Sequence, residues 1–101
     1  MALLNVFWTK TAVEQRNYIF AYWNKHNGNN TYSSKLRSVI NNNIALLKQY
    51  PNLGKATNFG EHRCLVLGHF SLFYIFDTQR IIITAFWDNR QDPEKLLALL
   101  K

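Results

Sequence analysis

An apolar run, Ile81 to Trp87, passes directly into the polar segment Asp88 to Pro93. Most residues of the run are β-branched or aromatic, which favours a β-strand, and its unbroken apolar character is typical of a strand buried on both faces. The ends of buried strands often carry functional side chains, because a rigid element fixes polar groups at an edge that faces water. The pattern therefore predicts a central strand with a candidate functional edge after Trp87.

The beginning of the chain predicts one short strand and then a helix. Residues 3–8 alternate loosely between apolar and polar positions, as a strand does. Thr11 and Glu14 have the spacing of a capping box, with Thr9 as an alternative helix cap. We expect the helix to end near Lys25 and His26. Its buried stripe, at helical spacing, is expected to comprise Ala12, the stem of Arg16, Ile19, Tyr22 and Trp23.

A second helix is predicted from Thr31 or Tyr32 to Gln49. Residues 27–30 form a polar turn of asparagine and glycine, both of which tolerate positive φ. Pro51 ends the second helix. Its apolar stripe is expected to comprise Leu36, Val39, Ile40, Ile44, Leu47 and Tyr50. A short polar connection between two amphipathic helices predicts a helix hairpin.

Three strands are predicted in the second half of the chain, at Glu61–Leu67, Phe70–Phe76 and Ile81–Trp87. The short turns between them indicate antiparallel neighbours. Asp92 and Pro93 have the residue types of a helix start, and the tail that follows, EKLLALLK, has high helical propensity.

The predicted element order is β-α-α-β-β-β, and we expect a single domain spanning residues 1–101. This order indicates an α+β fold, in which the helix hairpin covers one face of an antiparallel sheet. The other face would be at least partly open. An open sheet face on a basic protein is a candidate surface for nucleic acid.

The charge of the chain points to an acidic partner. Twelve lysines and arginines stand against six aspartates and glutamates, a formal net charge of +6. In a domain of this size, such a balance favours binding to nucleic acid or to an acidic protein segment. The alternative is a protein whose basic surface has no specific role.

Cys64 is the only cysteine, which excludes an internal disulfide and a thiolate metal cluster. It lies in an apolar strand pattern, so a buried thiol is favoured over a nucleophile. The start of the chain has no pattern of a signal peptide, and no apolar run is long enough to cross a membrane. We therefore expect a cytoplasmic location, no membrane contact, no metal and no cofactor.

Arg63 and His62 are the candidate site residues of the first predicted strand after the helices. Strand alternation puts Arg63 in phase with Leu65 and Leu67. An arginine there must either form a pair or reach the rim of the sheet, so it either binds a phosphate or forms a salt bridge with Asp77 or Asp88. His62 is a weaker candidate for a general base, against a structural role.

Two further cations are candidates. Lys55 lies in the link before the predicted sheet, where it could reach a phosphate or simply remain solvated. Arg90 follows the last strand, and either contacts a substrate or neutralises Asp88 or Asp92.

The chain resembles the RelE/ParE superfamily of toxins from type II toxin–antitoxin systems. The resemblance rests on FWTKTAVEQ, the YW at the end of the first helix, PNLG after the second helix, the arginine of EHRCLVLGHFSLFYIF, and the close FWDNRQDPEKLL. These segments cover almost the whole chain in order. The resemblance implies the β-α-α-β-β-β fold that the pattern also predicts.

The resemblance implies one of two activities. RelE-like members cut mRNA on the ribosome without a metal, and ParE-like members poison DNA gyrase. Arg63 matches the phosphate-holding arginine of the nucleases, and Lys55 and Arg90 fall near their basic residues. However, many nucleases of the superfamily carry a His or Tyr after the last strand, and this chain does not. We therefore favour the ParE-like action on gyrase, with ribosome-dependent mRNA cleavage and a noncatalytic basic binding module as alternatives.

A partner protein is also implied. Toxins of this superfamily are neutralised by a cognate antitoxin, whose acidic or amphipathic segment wraps around the toxin. A basic surface and a free sheet edge would suit such a partner.

Overall fold

The computed structural model of the protein describes residues 3–91. In chain order its elements are β1 (Asn5–Trp8), α1 (Lys10–Asn27), α2 (Thr31–Gln49), β2 (Lys55–Ala56), β3 (Arg63–Leu67), β4 (Phe70–Phe76) and β5 (Arg80–Asp88). The predicted order is confirmed, with β2 as an addition. The predicted helix start at Asp92 and Pro93 and the helical tail after them lie outside the described residues.

The five strands form one sheet in the order β1-β5-β4-β3-β2. Within the set β2 to β5, each strand is antiparallel to the next one along the chain, as short turns require. β1 instead pairs with β5 in parallel, with Val6 opposite Ile81. The α+β fold is confirmed, but the sheet is mixed rather than wholly antiparallel. The turn-length argument applies only to strands that follow each other closely, and both helices separate β1 from β5.

The first helix begins at Lys10, because Thr9 rather than Thr11 is its cap. Thr9 has extended backbone angles (φ −68°, ψ 159°), and its hydroxyl accepts a hydrogen bond from the Ala12 N–H at 3.2 Å. This is the usual geometry of a threonine cap. Thr11 lies already inside the first turn, so the preferred capping-box prediction is wrong and its alternative is correct.

The main core lies between the helix hairpin and one face of the sheet. The helices contribute Ala12, Ile19, Phe20, Leu36, Ile40 and Leu47, and the sheet contributes Leu67, Phe70, Leu72, Tyr74, Ile81, Ile83 and Phe86. Two residues of the predicted stripe, Val39 and Tyr50, are instead 42% and 60% exposed. Val39 lies about 100° around the helix axis from the centre of the buried stripe, which explains its exposure.

A β-bulge in β5 changes which side chains face the helices. The register with β4 shifts between Phe73 and Tyr74, so that Thr84 stands outside the pairing. Before the bulge Ile83 faces the helices, and after it Phe86 does. Both large residues therefore reach the main core, which strict alternation would not allow.

The far face of the sheet has a smaller apolar cluster of its own. Phe73, Ala85 and Trp87 are buried there, and Phe59 and Cys64 pack against them. On either side of this cluster the face is open, as predicted: Val66 is 60% exposed.

Candidate functional site

The side chain of Arg63 is engaged in hydrogen bonds with the loop before β2 and does not extend freely into solvent. As predicted, it points to the same face as Leu65 and Leu67, towards the helix side of the sheet. Its Nη1 donates to the carbonyl of Gly54 at 2.8 Å and, more weakly, to that of Asn52 at 3.5 Å. Within residues 3–91 its guanidinium forms no salt bridge, so neither Asp77 nor Asp88 is its partner.

Tyr74 fixes the same loop from inside the core. Its hydroxyl donates to the Pro51 carbonyl at 2.7 Å and accepts from the Gly54 N–H at 2.8 Å. Burial raises the pKa of this phenol, which keeps the donated proton in place. Gly54 approaches so closely that a Cβ there would lie 2.7 Å from the Tyr74 hydroxyl. Arg63 and Tyr74 together determine the path of residues 51–54.

His62 is likewise engaged by the backbone. Its Nδ1 lies 2.9 Å from the Phe59 carbonyl, to which it donates. The carbonyl of His62 in turn accepts from the N–H and the hydroxyl of Thr57. The imidazole is thus part of a local turn, and only its Nε2 is left for other chemistry.

Lys55 and Arg63 point to opposite faces of the sheet. Directly paired residues of neighbouring strands project to the same side. Lys55 pairs with Cys64, whereas Ala56 pairs with Arg63. The pKa of the Cys64 thiol is raised by burial, despite a hydrogen bond to Ser71 and the nearby charge of Lys55. The thiol is therefore protonated at neutral pH and is a poor nucleophile.

Arg90 forms a bidentate ion pair with Asp88. The Nε–Oδ1 distance is 2.9 Å and the Nη2–Oδ2 distance is 2.8 Å, and the Arg90 N–H also donates to Oδ1. Hydrogen bonding to the guanidinium is the main reason that the pKa of Asp88 is lowered. The predicted alternative of neutralising Asp88 is thus the observed contact.

The guanidinium of Arg90 also lies against aromatic rings, 5.3 Å from the centroid of Trp23 and 5.9 Å from that of Phe70. Tyr22 packs edge-on against Trp23, with 5.1 Å between centroids, and stacks on His26. We call the exposed group formed by Tyr18, Tyr22, Trp23, His26, Asp88 and Arg90 the Arg90 aromatic surface. Most of its members, with Ile19 and Gln91, line a cavity of about 360 Å³.

The sequence prediction did not identify this surface, because Tyr22 was assigned to the buried stripe of the first helix. In the structure Tyr22 is 48% exposed and Tyr18 is 65% exposed. A signal was present in the spacing of Tyr18, Tyr22 and His26. Residues four apart share one helix face, so these three form an aromatic and polar stripe beside the buried face of α1.

The predicted cations do not converge on one site. Arg63 pairs with Tyr74, whereas Asp88, which holds Arg90, pairs with Phe70. Tyr74 and Phe70 are four positions apart on β4, which is about 13 Å. Arg63 and Arg90 therefore lie towards opposite ends of the sheet, and Lys55 projects from the other face.

Residues 3–91 contain no group of three or more His, Cys, Asp or Glu side chains that could hold a metal ion. Neither α1 nor α2 is long and apolar enough to cross a membrane.

Comparison with known proteins identifies a family and similar solved structures. A family model described as the ParE toxin of the type II toxin–antitoxin system parDE matches residues 6–93. Seven chains of solved structures also match. One, described as the chromosomal ParDE TA system from P. aeruginosa, has a TM-score of 0.71 and 20% identity, covering 83% of this chain and 94% of that chain. At this identity the likeness establishes the fold alone. No curated protein matches the chain.

Proposed function

Because the chain belongs to the ParE toxin family of type II toxin–antitoxin systems, we propose that it arrests growth by binding DNA gyrase, without cutting RNA. Family membership makes the chain a toxin. The choice of gyrase over ribosome-bound mRNA rests on the arrangement of the candidate side chains.

The dispersal of the predicted cations is the observation that carries this choice. Metal-independent RNA cleavage needs a base for the 2′-hydroxyl, cations at the developing phosphorane charge, and an acid for the leaving oxygen, all within reach of one phosphate. The positions of β4 that pair with Arg63 and with Asp88, the partner of Arg90, are about 13 Å apart along the strand. The Nη1 of Arg63 and the Nδ1 of His62 already donate to carbonyls. This arrangement supports a binding protein better than a nuclease.

The Arg90 aromatic surface is the proposed contact with the target. Tyrosine, tryptophan and arginine are the residues most enriched at the energetic centres of protein interfaces. Here Tyr18 and Tyr22 are exposed beside Trp23, and Asp88 holds the Arg90 guanidinium in place before any partner binds. Preorganisation of this kind lowers the entropy lost on association. We propose that this surface docks on gyrase, and hence that the protein acts in the cytoplasm.

A cognate antitoxin is the proposed second partner. The described P. aeruginosa structure is of a ParDE system, which supports a paired antitoxin for this toxin as well. The net charge of +6 favours an acidic segment in that antitoxin.

Expression of the toxin alone in a bacterium tests the choice of target. Growth arrest with loss of negative supercoiling in a reporter plasmid, an induced DNA-damage response and intact mRNA is the expected result. Arrest with defined mRNA cuts and unchanged supercoiling would instead establish the nuclease. Absence of any growth effect from the folded protein would contradict a toxin role and leave a noncatalytic binding module.

A further inference from the structure

Two arginines on the helix hairpin each lie over an aromatic ring. The guanidinium carbon of Arg16, on α1, lies 4.7 Å from the centroid of Trp8, and that of Arg37, on α2, lies 4.6 Å from the centroid of Phe20. Phe20 is one helical turn beyond Arg16, so the two stacked guanidinium groups occupy neighbouring positions over the hairpin. Contact with a ring restrains each side chain. Within residues 3–91 the guanidinium of Arg37 and the Nη1 of Arg16 donate no hydrogen bond and are available to bind.

Neither charge is compensated within residues 3–91. The salt bridges there involve other residues, and the only hydrogen bonds from either guanidinium are two long ones, 3.3 and 3.4 Å, from Arg16 to the neighbouring Asn17. The pKa of Arg16 is lowered first by burial and then by the positive charge of Arg37. Two like charges thus repel each other where an anion would relieve the repulsion.

The surroundings of the pair are strongly basic. Residues 10–49 contain six lysines and arginines but a single carboxylate, Glu14, which lies 3.9 Å from Lys10. A second copy of this chain would bring further positive charge to the same place, which disfavours self-association through this face.

We propose that Arg16 and Arg37 form an anion-binding pair that receives carboxylates from an acidic peptide segment. An arginine binds a carboxylate through two parallel N–H···O bonds, and two arginines on adjacent helices would grip two successive acidic side chains. Identifying that segment as part of the antitoxin rests on the proposed function. The pairing with carboxylates does not.

The aromatic rings favour a peptide over nucleic acid. Proteins that bind single strands stack bases on exposed aromatic faces. At this site the guanidinium groups already cover Trp8 and Phe20. A nucleic acid could then contact the two arginines only through its phosphates, and such contacts do not depend on base sequence.

The pair is separate from the Arg90 aromatic surface. Successive residues of a helix are about 100° apart, so Tyr18 projects on the opposite side of α1 from Arg16. Trp23 lies on the same side as Arg16 but about two turns, or about 10 Å, further along the helix. One toxin molecule could therefore engage an acidic segment at the arginine pair while the Arg90 aromatic surface remains accessible.

Fluorescence anisotropy with labelled poly-L-glutamate, and with a single-stranded DNA oligonucleotide in parallel, tests the pair. The variant Arg16→Gln/Arg37→Gln should weaken poly-L-glutamate binding by about 10-fold. The matched control Lys25→Gln/Lys35→Gln removes the same charge from exposed positions of the two helices and should weaken it by no more than about 2-fold. The charge-preserving variant Arg16→Lys/Arg37→Lys should bind poly-L-glutamate with an affinity between those of the two glutamine variants. Lysine keeps the positive charge but cannot donate two parallel hydrogen bonds to one carboxylate.

Three results would overturn the proposal: no binding of poly-L-glutamate by the wild type, an equal loss in the two glutamine variants, or a loss confined to the oligonucleotide. Circular dichroism verifies that each variant is folded. The assay contains no gyrase, so it is independent of the toxin's target. Conversely, unchanged gyrase inhibition by the Arg16→Gln/Arg37→Gln variant is expected whether or not the peptide binds.

Discussion

Asp88 and Arg90 are joined by two parallel hydrogen bonds of 2.8 and 2.9 Å, although only one residue separates them in the chain. The pair begins where β5 ends, and it places the Arg90 guanidinium 5.3 Å from the centroid of Trp23 on α1. The ion pair with Asp88 thus positions the Arg90 guanidinium against α1. Asp88 therefore fixes the position of Arg90, and its own carboxylate is engaged by the guanidinium.

Asp88→Asn should lower the free energy of unfolding by about 1 kcal/mol at pH 7, because it removes a charge-assisted bidentate pair while keeping the side-chain size. Urea denaturation measures the change. Glu14→Gln is a matched control, since the Lys10–Glu14 pair is long and largely exposed, and it should change stability by less than about 0.5 kcal/mol.

The difference between wild type and Asp88→Asn should depend on pH. The pKa of Asp88 is lowered in the folded state, chiefly by its hydrogen bonds with Arg90. Stabilisation from a depressed carboxylate pKa is fully present above the unfolded value of about 3.9 and is lost as the pH falls through the folded pKa. The stability difference should therefore persist at neutral pH and shrink in strong acid. A difference that grew below pH 3.9 or so would contradict the ion pair as its source.

Tyr74→Phe should destabilise the protein by about 1–3 kcal/mol, because it leaves the Gly54 N–H and the Pro51 carbonyl without their buried partner. Tyr50→Phe is the control: Tyr50 is exposed, and its change should stay within about 0.5 kcal/mol. Thermal unfolding of both variants gives the comparison. Equal effects would show that the loop carbonyl and N–H do not depend on the Tyr74 hydroxyl.

Strand and helix patterns could be predicted from local sequence, and long-range pairing could not. The alternation of Arg63, Leu65 and Leu67 correctly placed all three on one face. The parallel pairing of β1 with β5 joins segments about 75 residues apart, which no local pattern encodes. The bulge at Thr84 was not predicted either. Thr84 is the one polar residue of the run, but threonine is common in regular strands, so its residue type does not mark a bulge.

The sequence identified which cations are candidates for the site, but it did not predict how they are arranged in space. Arg63 was correctly placed in a strand and Arg90 directly after one, whereas Lys55, which was predicted in the link before the sheet, lies in β2. Whether their charges converge depends on strand order and register, and the two-residue strand β2 that orients Lys55 is too short to predict from alternation. The spacing of Tyr18 and Tyr22 was a usable signal for the Arg90 aromatic surface, since two tyrosines four residues apart lie on one face of the helix.

Arg63→Ala tests whether this arginine serves structure or chemistry. Loss of its hydrogen bond to the Gly54 carbonyl should lower stability by about 1–2 kcal/mol. Gyrase inhibition per folded molecule should stay within about 3-fold of wild type, which is about 0.7 kcal/mol. The measurement combines urea denaturation with titration of the inhibition at a temperature where the variant is folded. A stable variant that has lost all inhibition would place Arg63 in the functional surface.

Tyr22→Ala should weaken inhibition by at least about 10-fold, because an exposed tyrosine at the centre of an interface typically contributes more than 1 kcal/mol. Stability should change little, since the side chain is half exposed and packs mainly on Trp23 and His26. Val39→Ala is the control: it removes a similarly exposed apolar side chain from α2 and should leave inhibition unchanged. Equal loss in both variants would remove the Arg90 aromatic surface from the proposed contact.

The most direct measurement is a plasmid supercoiling assay with purified gyrase and purified toxin, run beside translating ribosomes programmed with a defined mRNA. We expect inhibition of supercoiling at toxin concentrations that leave the mRNA intact, and loss of that inhibition in Tyr22→Ala. Full gyrase activity together with toxin-dependent cleavage of the mRNA would contradict the account.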